Sequence, residues 1–545
     1  MSTKTKNVRD VTYQLLREVG IKTIFGNPGS TEEHFLKNFP SDFRYVLALQ
    51  EASAIAMADA FAQATGLPTL VNLHTSGGSG NAMGNLVTAF QNKSPLIVTA
   101  GQQTREMMLL EPMLTNVEAT LFPRPWVKWA YEPVRAEDVP AAFMRAIATA
   151  LQPPTGPVYL SLPLDDWEKE CAFPAVVRTV SHRYAPDPDR LAEFAKIVRE
   201  ASSPVLVYGA AIDRSNGWSE AIAFAEALGS PVWRAPWSER ASFPETHPLY
   251  SGELPVAIDP LCKKLEGHDV VLVVGAPVFR YYPYVAGSYL PNGTRLLHIS
   301  DDPSETARAP VGDSLLGNAT LSLAALTQLL GEYKPKAGLQ KKMINHKESN
   351  ESHSIQISDD GLLTAEQVFN ALSEIRPDNA ILLEESPSNS AYLHKYWPIT
   401  QPASFFTFAS GILGWNLPAS VGIALAEREK GGNRPVILVI GDGALQYSIQ
   451  SLWTAVQHNL PILIVVMRNG EYAILKEFAK LEDTPGVPGL DLPGLDIVSL
   501  AKGYGCDAIR LDDLDAIKKA AVEAWTKSKP TVLEIPISPK LSTIV

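Results

Sequence analysis

Pro435-Val-Ile-Leu-Val-Ile440 runs into Gly441-Asp442-Gly443, and Pro461-Ile-Leu-Ile-Val-Val-Met467 runs into Arg468-Asn469-Gly470. Each apolar, β-branched run reads as a strand of a parallel sheet covered on both faces, where inside/outside alternation disappears. Leu445 to His458, between them, reads as the crossover helix. A strand, a crossover and a second parallel strand bring both carboxyl ends to one sheet edge, the edge where open α/β sheets take their ligands. Asp442 and Asn469 therefore converge although 27 positions separate them. One carboxylate and an amide oxygen suit Mg²⁺, a hard cation that completes its shell with carbonyls, waters and a phosphate. Gly443 and Ala444 carry little or no side chain and open a helix, so their N–H groups can approach an anion. The two strand ends together describe a Mg²⁺-bridged diphosphate. A lone Gly-Asp-Gly is most often only a turn; the second strand ending in Asn at matching spacing singles this one out.

Outward from this point the same alternation recurs. Strand-like runs at Ala380–Leu383 and Thr531–Ile535 belong with the pair above. Thr23–Phe25, Tyr45–Leu49, Thr69–Leu73 and Leu96–Ala100 form a first group, and Pro204–Tyr208, Val270–Val274 and Arg295–Ile299 a second. Helical patterns separate them, which is the signature of parallel α/β sheets. We therefore expect three consecutive doubly wound α/β domains at 1–180, 190–333 and 362–545. The polar stretch 334–361, rich in Lys, Asn, Ser and Glu, reads as a linker. A chain of 545 residues fits three domains at roughly 100–200 residues each.

Composition narrows the partners. The net charge of −12 argues against a nucleic-acid surface or an anionic membrane, both of which need clustered cations. Cys171, Cys262 and Cys506 are sparse and offer no metal-site spacing. The polar start and the lack of a long apolar run suggest neither signal peptide nor membrane span, so a cytoplasmic protein is expected.

Gly441-Asp442-Gly443 followed by Asn469 resembles the thiamine-diphosphate motif, although Arg468 stands where the family usually carries a first Asn. The resemblance implies Asp442, Asn469 and the backbone carbonyl of Glu471 as Mg²⁺ ligands, with Gly443 and Ala444 at the diphosphate. It also implies a carboxyl group at N1′ of the cofactor, supplied by the first domain of a neighbouring subunit. Glu51 stands in the matching place, between the strand Tyr45–Leu49 and the small-residue helix Ala52–Ala62. Leu413 in Gly411-Ile412-Leu413-Gly414 matches the apolar wedge that bends the cofactor, and Gly411 the backbone contact to its aminopyrimidine.

Longer stretches, among them Phe25-Gly-Asn-Pro-Gly-Ser30, Asn72-Leu-His-Thr75 and Ser94-Pro-Leu-Ile-Val-Thr-Ala-Gly-Gln-Gln-Thr104, are similar to benzoylformate decarboxylases over essentially the whole chain. The implied activity is non-oxidative decarboxylation of a 2-oxo acid to an aldehyde and CO₂, with carboligation to 2-hydroxyketones as the alternative. A non-catalytic homologue is disfavoured by the presence of Glu51, Asp442 and Asn469. Ser30 resembles the serine that holds the substrate carboxylate, and His74 the histidine that moves protons, a task within the range of imidazole. Three substrate-pocket positions depart from the family. Tyr282 replaces a second histidine, and a phenol is a poor proton shuttle at neutral pH. Pro387 replaces a threonine, and Ile474, followed by Leu475, replaces a smaller residue and narrows the pocket. The family further implies a homo-oligomer with a dimer as minimal active unit, paired into a tetramer. Some relatives hold FAD or ADP in the middle domain; no G-x-G-x-x-G follows a strand here, so no FAD is expected.

Overall fold

The computed structural model describes residues 6–333 and 358–539. Most of the expected linker, 334–357, lies outside the described residues. Three sheets of six strands each follow one another along the chain, and every pairing in them is parallel. This is the expected α/β architecture of three doubly wound sheets.

The first sheet has the spatial order Arg44–Leu47, Thr23–Asn27, Thr69–Leu73, Leu96–Gln102, Val158–Pro163, Ala130–Tyr131. The third reads Phe405–Phe406, Ile381–Glu385, Val436–Gly441, Ile462–Arg468, Thr531–Pro536, Asp507–Arg510. Numbered within each sheet, both follow 2-1-3-4-6-5, a repeated topology with no counterpart in sequence repeats. The middle sheet runs Asp313–Leu316, Arg295–Ser300, Val270–Val274, Pro204–Tyr208, Val232–Arg234, Tyr250–Glu253, the order 6-5-4-1-2-3. In each sheet the direction of winding reverses between two neighbouring central strands, and that reversal opens a crevice at their carboxyl ends; the first and third sheets turn back once more at their last strand.

The reversal points locate the chemistry. In the first sheet Thr23–Asn27 and Thr69–Leu73 flank it, leading into Ser30 and His74. In the third, Ile381–Glu385 and Val436–Gly441 flank it, leading into Pro387 and Asp442. In the middle sheet Pro204–Tyr208 and Val270–Val274 flank it, and the small cleft there is lined by Ala210, Arg214, Glu239, Ala276 and Arg280. Glu239 is buried there between Arg214 and Arg280, its carboxylate 2.6 Å from the Arg280 guanidinium. Burial pushes the Glu239 carboxyl up, yet the two guanidiniums outweigh it and hold it at about 2. A Cβ on Gly209 would stand 2.3 Å from that of Ala276, so the two chains pack closely just past the strand ends.

The first and third sheets share one apolar core, through the helices Glu51–Thr65 and Asn416–Glu429. These helices touch backbone to backbone at Gly422, where a Cβ would lie 2.1 Å from the Met57 carbonyl oxygen. Ala54, Ala56, Ala58 and Ala60 are fully buried along the first helix; small residues are what permit so close an approach. A second core joins the middle and third sheets.

One element differs from expectation. Leu445–His458 is not a single helix: Asp442–Gln446 and Ser451–Gln457 are separate, with a break between them. The break frees the second helix to dock on the first domain, where Thr454 Oγ1 donates to the Leu47 carbonyl at 2.9 Å and Gln450 Nε2 to Ser53 Oγ at 3.4 Å. Tertiary contact overrides the helical periodicity of the stretch.

Candidate active site

Asp442 is the first residue of its helix and is buried, at 3% exposure. Its Oδ1 accepts the Gly443 N–H at 2.9 Å and its Oδ2 accepts the Gly470 N–H at 2.7 Å. The second bond closes the distance between the two strand ends. Burial pushes the Asp442 carboxyl up, opposed by those two N–H groups and by Arg468. Asn469 Oδ1 accepts the Glu471 N–H at 3.1 Å, which fixes the turn and aligns the Glu471 backbone. The Glu471 side chain is engaged elsewhere, paired with Lys476, which also reaches Asp491 at 2.6 Å. Segment 470–472 pairs with 490–492, Leu492 N–H to the Gly470 carbonyl and Tyr472 N–H to that of Leu490, each at 2.8 Å.

The residues fit a Mg²⁺-diphosphate. A Cβ on Gly443 would lie 2.5 Å from Tyr472 Cε1 and 3.0 Å from Leu492 Cδ1, so a side chain there would have to displace both. Among the described residues no group of three or more His, Cys, Asp or Glu side chains could hold a metal. A site built on one carboxylate, an amide and a main-chain carbonyl is not of that kind, and Mg²⁺ accepts such a shell when phosphates complete it.

The loop Gly411–Gly414 reaches this motif: a Cβ on Gly414 would meet Tyr447 Cβ at 2.8 Å, just after the Asp442 helix. Gly411 and Gly414 have φ of 73° and 100°, a left-handed backbone that suits glycine. Gly411 is exposed and Leu413 half-buried. The loop is gripped from below by Glu385, whose carboxylate accepts the Gly414 N–H at 2.5 Å and the Asn416 N–H at 2.7 Å.

Glu51 opens its helix, where a carboxylate is favoured, and the Gln50 side chain caps it through the Ser53 N–H. It is buried at 8% exposure, with Asn81 Nδ2 donating to Oε2 at 3.1 Å and Asn27 Nδ2 to Oε1 at 3.4 Å. His74 follows the strand Thr69–Leu73 directly and precedes Thr75, a β-branched residue at φ 45°, a strained backbone of the kind that gathers at functional sites. Its Nδ1 lies 2.9 Å from Glu32 Oε2. A carboxylate only accepts, so Nδ1 carries the hydrogen and Nε2 of the neutral ring is left as acceptor. Glu32 also takes the N–H groups of Gly29 and Gly101. Gly29 has no room for a side chain, since a Cβ would fall 2.2 Å from His74 Nδ1. Ser30 is exposed beside it.

Tyr282 comes from the middle domain to meet Phe478 edge-on, ring centroids 5.1 Å apart. Phe478 belongs to the helix Ala473–Leu481 that also carries half-buried Ile474 and exposed Leu475. Pro387 is half-buried at the end of Ile381–Glu385. Among the described residues, Glu51, Ser30 and His74 make no hydrogen bond to the Asp442–Asn469 site. Sequence reasoning missed Glu32, Asn81 and Glu385. Glu32, three residues after a Gly-containing turn, carried a weak signal; the other two are defined only by what folds against them.

Comparison with known proteins agrees with this geometry. Residues 6–119 match the N-terminal TPP binding domain of thiamine pyrophosphate enzymes, 191–326 their central domain and 388–535 their C-terminal TPP binding domain. The chain is 42% identical to a benzoylformate decarboxylase of Pseudomonas aeruginosa over 97% of its own length and 99% of that protein's. It is 24% identical to the acetolactate synthase large subunit of Haemophilus influenzae, covering 96% and 93% of the two chains. The crystal structure of benzoylformate decarboxylase from Polynucleobacter necessarius superposes with a TM-score of 0.93 at 50% identity, over 98% of this chain and 99% of that one. A thiamine diphosphate-dependent 4-hydroxybenzoylformate decarboxylase of Rhodococcus jostii gives 0.91 at 41%, over 98% and 100%. With its three domains matched and its curated relative aligned end to end, the chain belongs to the benzoylformate decarboxylase family of thiamine-diphosphate-dependent 2-oxo acid carboxy-lyases.

Proposed function

We propose that this enzyme decarboxylates 2-oxo acids with an apolar substituent, benzoylformate among them but not the best, using thiamine diphosphate and Mg²⁺ in a dimeric or tetrameric cytoplasmic protein. The observation that carries the cofactor reading is the 2.7 Å bond from the Gly470 N–H to Asp442 Oδ2, which makes one site of two strand ends. Asp442, Asn469 and the Glu471 carbonyl would hold Mg²⁺, and the helix start at Gly443 and Ala444 would face the diphosphate. Bound thiamine diphosphate supplies the electron sink for loss of CO₂. The chain would supply the rest: Glu51 a carboxyl group for the pyrimidine, Leu413 an apolar support for the cofactor, Ser30 a partner for the substrate carboxylate, and His74 Nε2 a site for proton transfer.

Tyr282, Ile474 and Leu475 set the substrate. The phenol donates hydrogen bonds without shuttling protons, and Ile474 takes space near the reacting carbon. No G-x-G-x-x-G follows a strand of the middle domain, which supports a protein without FAD. Quaternary structure rests on an exposed apolar segment: Leu109, Leu110 and Met113 are 90%, 74% and 86% exposed. A continuous patch of such residues marks an interface. No helix among the described residues is long and apolar enough to cross a membrane.

Steady-state kinetics over a panel of 2-oxo acids, scoring CO₂, aldehyde and 2-hydroxyketone, tests the substrate reading. Ile474→Ala should raise kcat/KM for benzoylformate relative to a short aliphatic acid by roughly 10-fold or more, since one or two methylenes are worth ~1–3 kcal/mol. A wild type already selective for benzoylformate overturns it. For the activating carboxyl group, Glu51→Gln should abolish exchange of the C2 proton while cofactor affinity stays within about tenfold, ~1.4 kcal/mol. Exchange at the wild-type rate rules Glu51 out.

A further inference from the structure

Asp59 sits two turns beyond Glu51 on the same helix, fully buried at 0% exposure, and is surrounded by donors. Its Oδ1 accepts Gln63 Nε2 at 2.8 Å and the Ser94 hydroxyl. Its Oδ2 accepts Asn92 Nδ2 and Trp415 Nε1, each at 2.8 Å. Ser94 and Gln63 are internal to the first domain; Trp415 is not. It closes the third-domain loop Ala409–Trp415, whose middle carries Gly411 and Leu413.

Asn92 extends the contact to the other end of that loop. Its Nδ2 is spent on Asp59, and its Oδ1 accepts the Ala409 N–H at 2.8 Å. A single carboxylate thus anchors both ends, Trp415 directly and Ala409 through one amide. Thr88 Oγ1 lies 2.9 Å from Ser410 Oγ, a further tie from the first domain. Trp415 itself is completely buried, whereas Ile412, between the anchors, is 36% exposed. The loop is fixed at its ends and presents its centre. Burial also pushes the Asp59 carboxyl up, against the four donors.

We propose that Asp59 is a positioning residue for the cofactor, acting through Trp415 and Asn92 to hold the loop that carries Leu413 at the height the bent cofactor requires. This rests on the reading of Leu413 as the wedge between the cofactor rings. A carboxylate buried merely to complete the first-domain core needs Gln63 and Ser94, but gains nothing specific from reaching across to both ends of a loop in another domain. Deleting one donor leaves a buried carboxyl oxygen unmet in a dry interior, which costs more than an exposed hydrogen bond would.

Two substitutions separate the roles, each deleting one donor to Asp59. Trp415→Phe keeps an aromatic ring but loses the Nε1 hydrogen to the loop side; Ser94→Ala loses the hydroxyl on the first-domain side. Both full-length proteins are titrated calorimetrically with thiamine diphosphate and Mg²⁺, and hydrogen exchange at residues 411–414 is followed in the unliganded proteins. Trp415→Phe should weaken cofactor affinity roughly tenfold and speed exchange in the loop, and Ser94→Ala should leave both near wild type. Asn92→Ala, which cuts the Ala409 arm instead, should reproduce the Trp415→Phe result and stands in for it if that variant does not fold. Equal effects of the loop-side and core-side variants on exchange, or no effect of either loop-side variant, overturn the proposal. If wild type itself binds no thiamine diphosphate, the cofactor reading falls, while the exchange data still decide whether Asp59 holds the loop.

Discussion

Glu385 shows what a single buried side chain contributes. It ends a strand at the reversal point of the third sheet, is fully buried, and turns its carboxylate onto the Gly414 and Asn416 N–H groups. Burial pushes its carboxyl up to about 7, with neighbouring Glu384 adding to the rise and the Gly414 and Asn416 hydrogen bonds opposing it. The sign follows from linkage. Because the folded value lies above the unfolded one, the unfolded chain loses its proton first as pH rises. Stability is therefore full below about 4.5, falls between about 4.5 and 7, and levels off above. A shift of this size corresponds to about 3 kcal/mol. Glu385→Gln removes the titration and, at every pH, one of the two acceptors for the loop. The variant should therefore gain on wild type by about 3 kcal/mol between pH 4 and pH 8, read from the shift in their urea midpoints. A difference that does not change with pH would show that Glu385 ionises normally.

At the scale of elements, the site is a meeting of strand ends and helix starts, and its glycines mark where they touch. Gly443 lies at the start of the Asp442 helix under Tyr472 and Leu492, 2.5 Å and 3.0 Å from where a Cβ would stand. Tyr472 follows the Asn469 turn, so a methyl group at Gly443 forces its ring and the Leu492 methyl group to shift beside that turn. Gly443→Ala should lower Mg²⁺-dependent thiamine diphosphate affinity by more than about tenfold by calorimetry. Gly503→Ala, where nothing lies within 4 Å, is the control and should bind as wild type does. Equal affinities in the two variants would mean that the strand ends move freely and that the close packing is incidental. The same logic explains why the crossover is two helices: only a break lets one helix open the anion site and the other dock on the first domain.

For the molecule as a whole, the first and third domains are joined at many points, among them the packed helices at Met57 and Gly422 and the bond between Asp59 and Trp415. Glu51 nonetheless has its polar partners, Asn27 and Asn81, within its own domain. A carboxyl group that serves a second copy of the chain is consistent with that arrangement, and with an exposed apolar segment around Leu110. Leu110→Asp should leave the fold intact, because the side chain meets only solvent in the single chain. It should convert the protein to a monomer in sedimentation velocity and abolish decarboxylation. A monomeric variant with full activity would place the whole active site in one chain.

The sequence alone determined the α/β class, the long central strands and the convergence of Asp442 with Asn469. Those features are local: a continuous apolar run, a glycine turn and a helix start carry their own signature. It did not determine seven of the strands, Ala130–Tyr131, Val158–Pro163, Val232–Arg234, Tyr250–Glu253, Asp313–Leu316, Phe405–Phe406 and Asp507–Arg510. Most of these are short edge strands, which have one paired neighbour and no need of an uninterrupted apolar run. Nor did it reveal Glu32, Asp59 or Glu385, since an acid in a sequence is a solvated surface group until something folds over it. Only the tertiary structure supplies the opposing N–H, amide and indole donors, from residues tens to hundreds of positions away. Burial in a dry interior is what turns those acids from solvated charges into anchors.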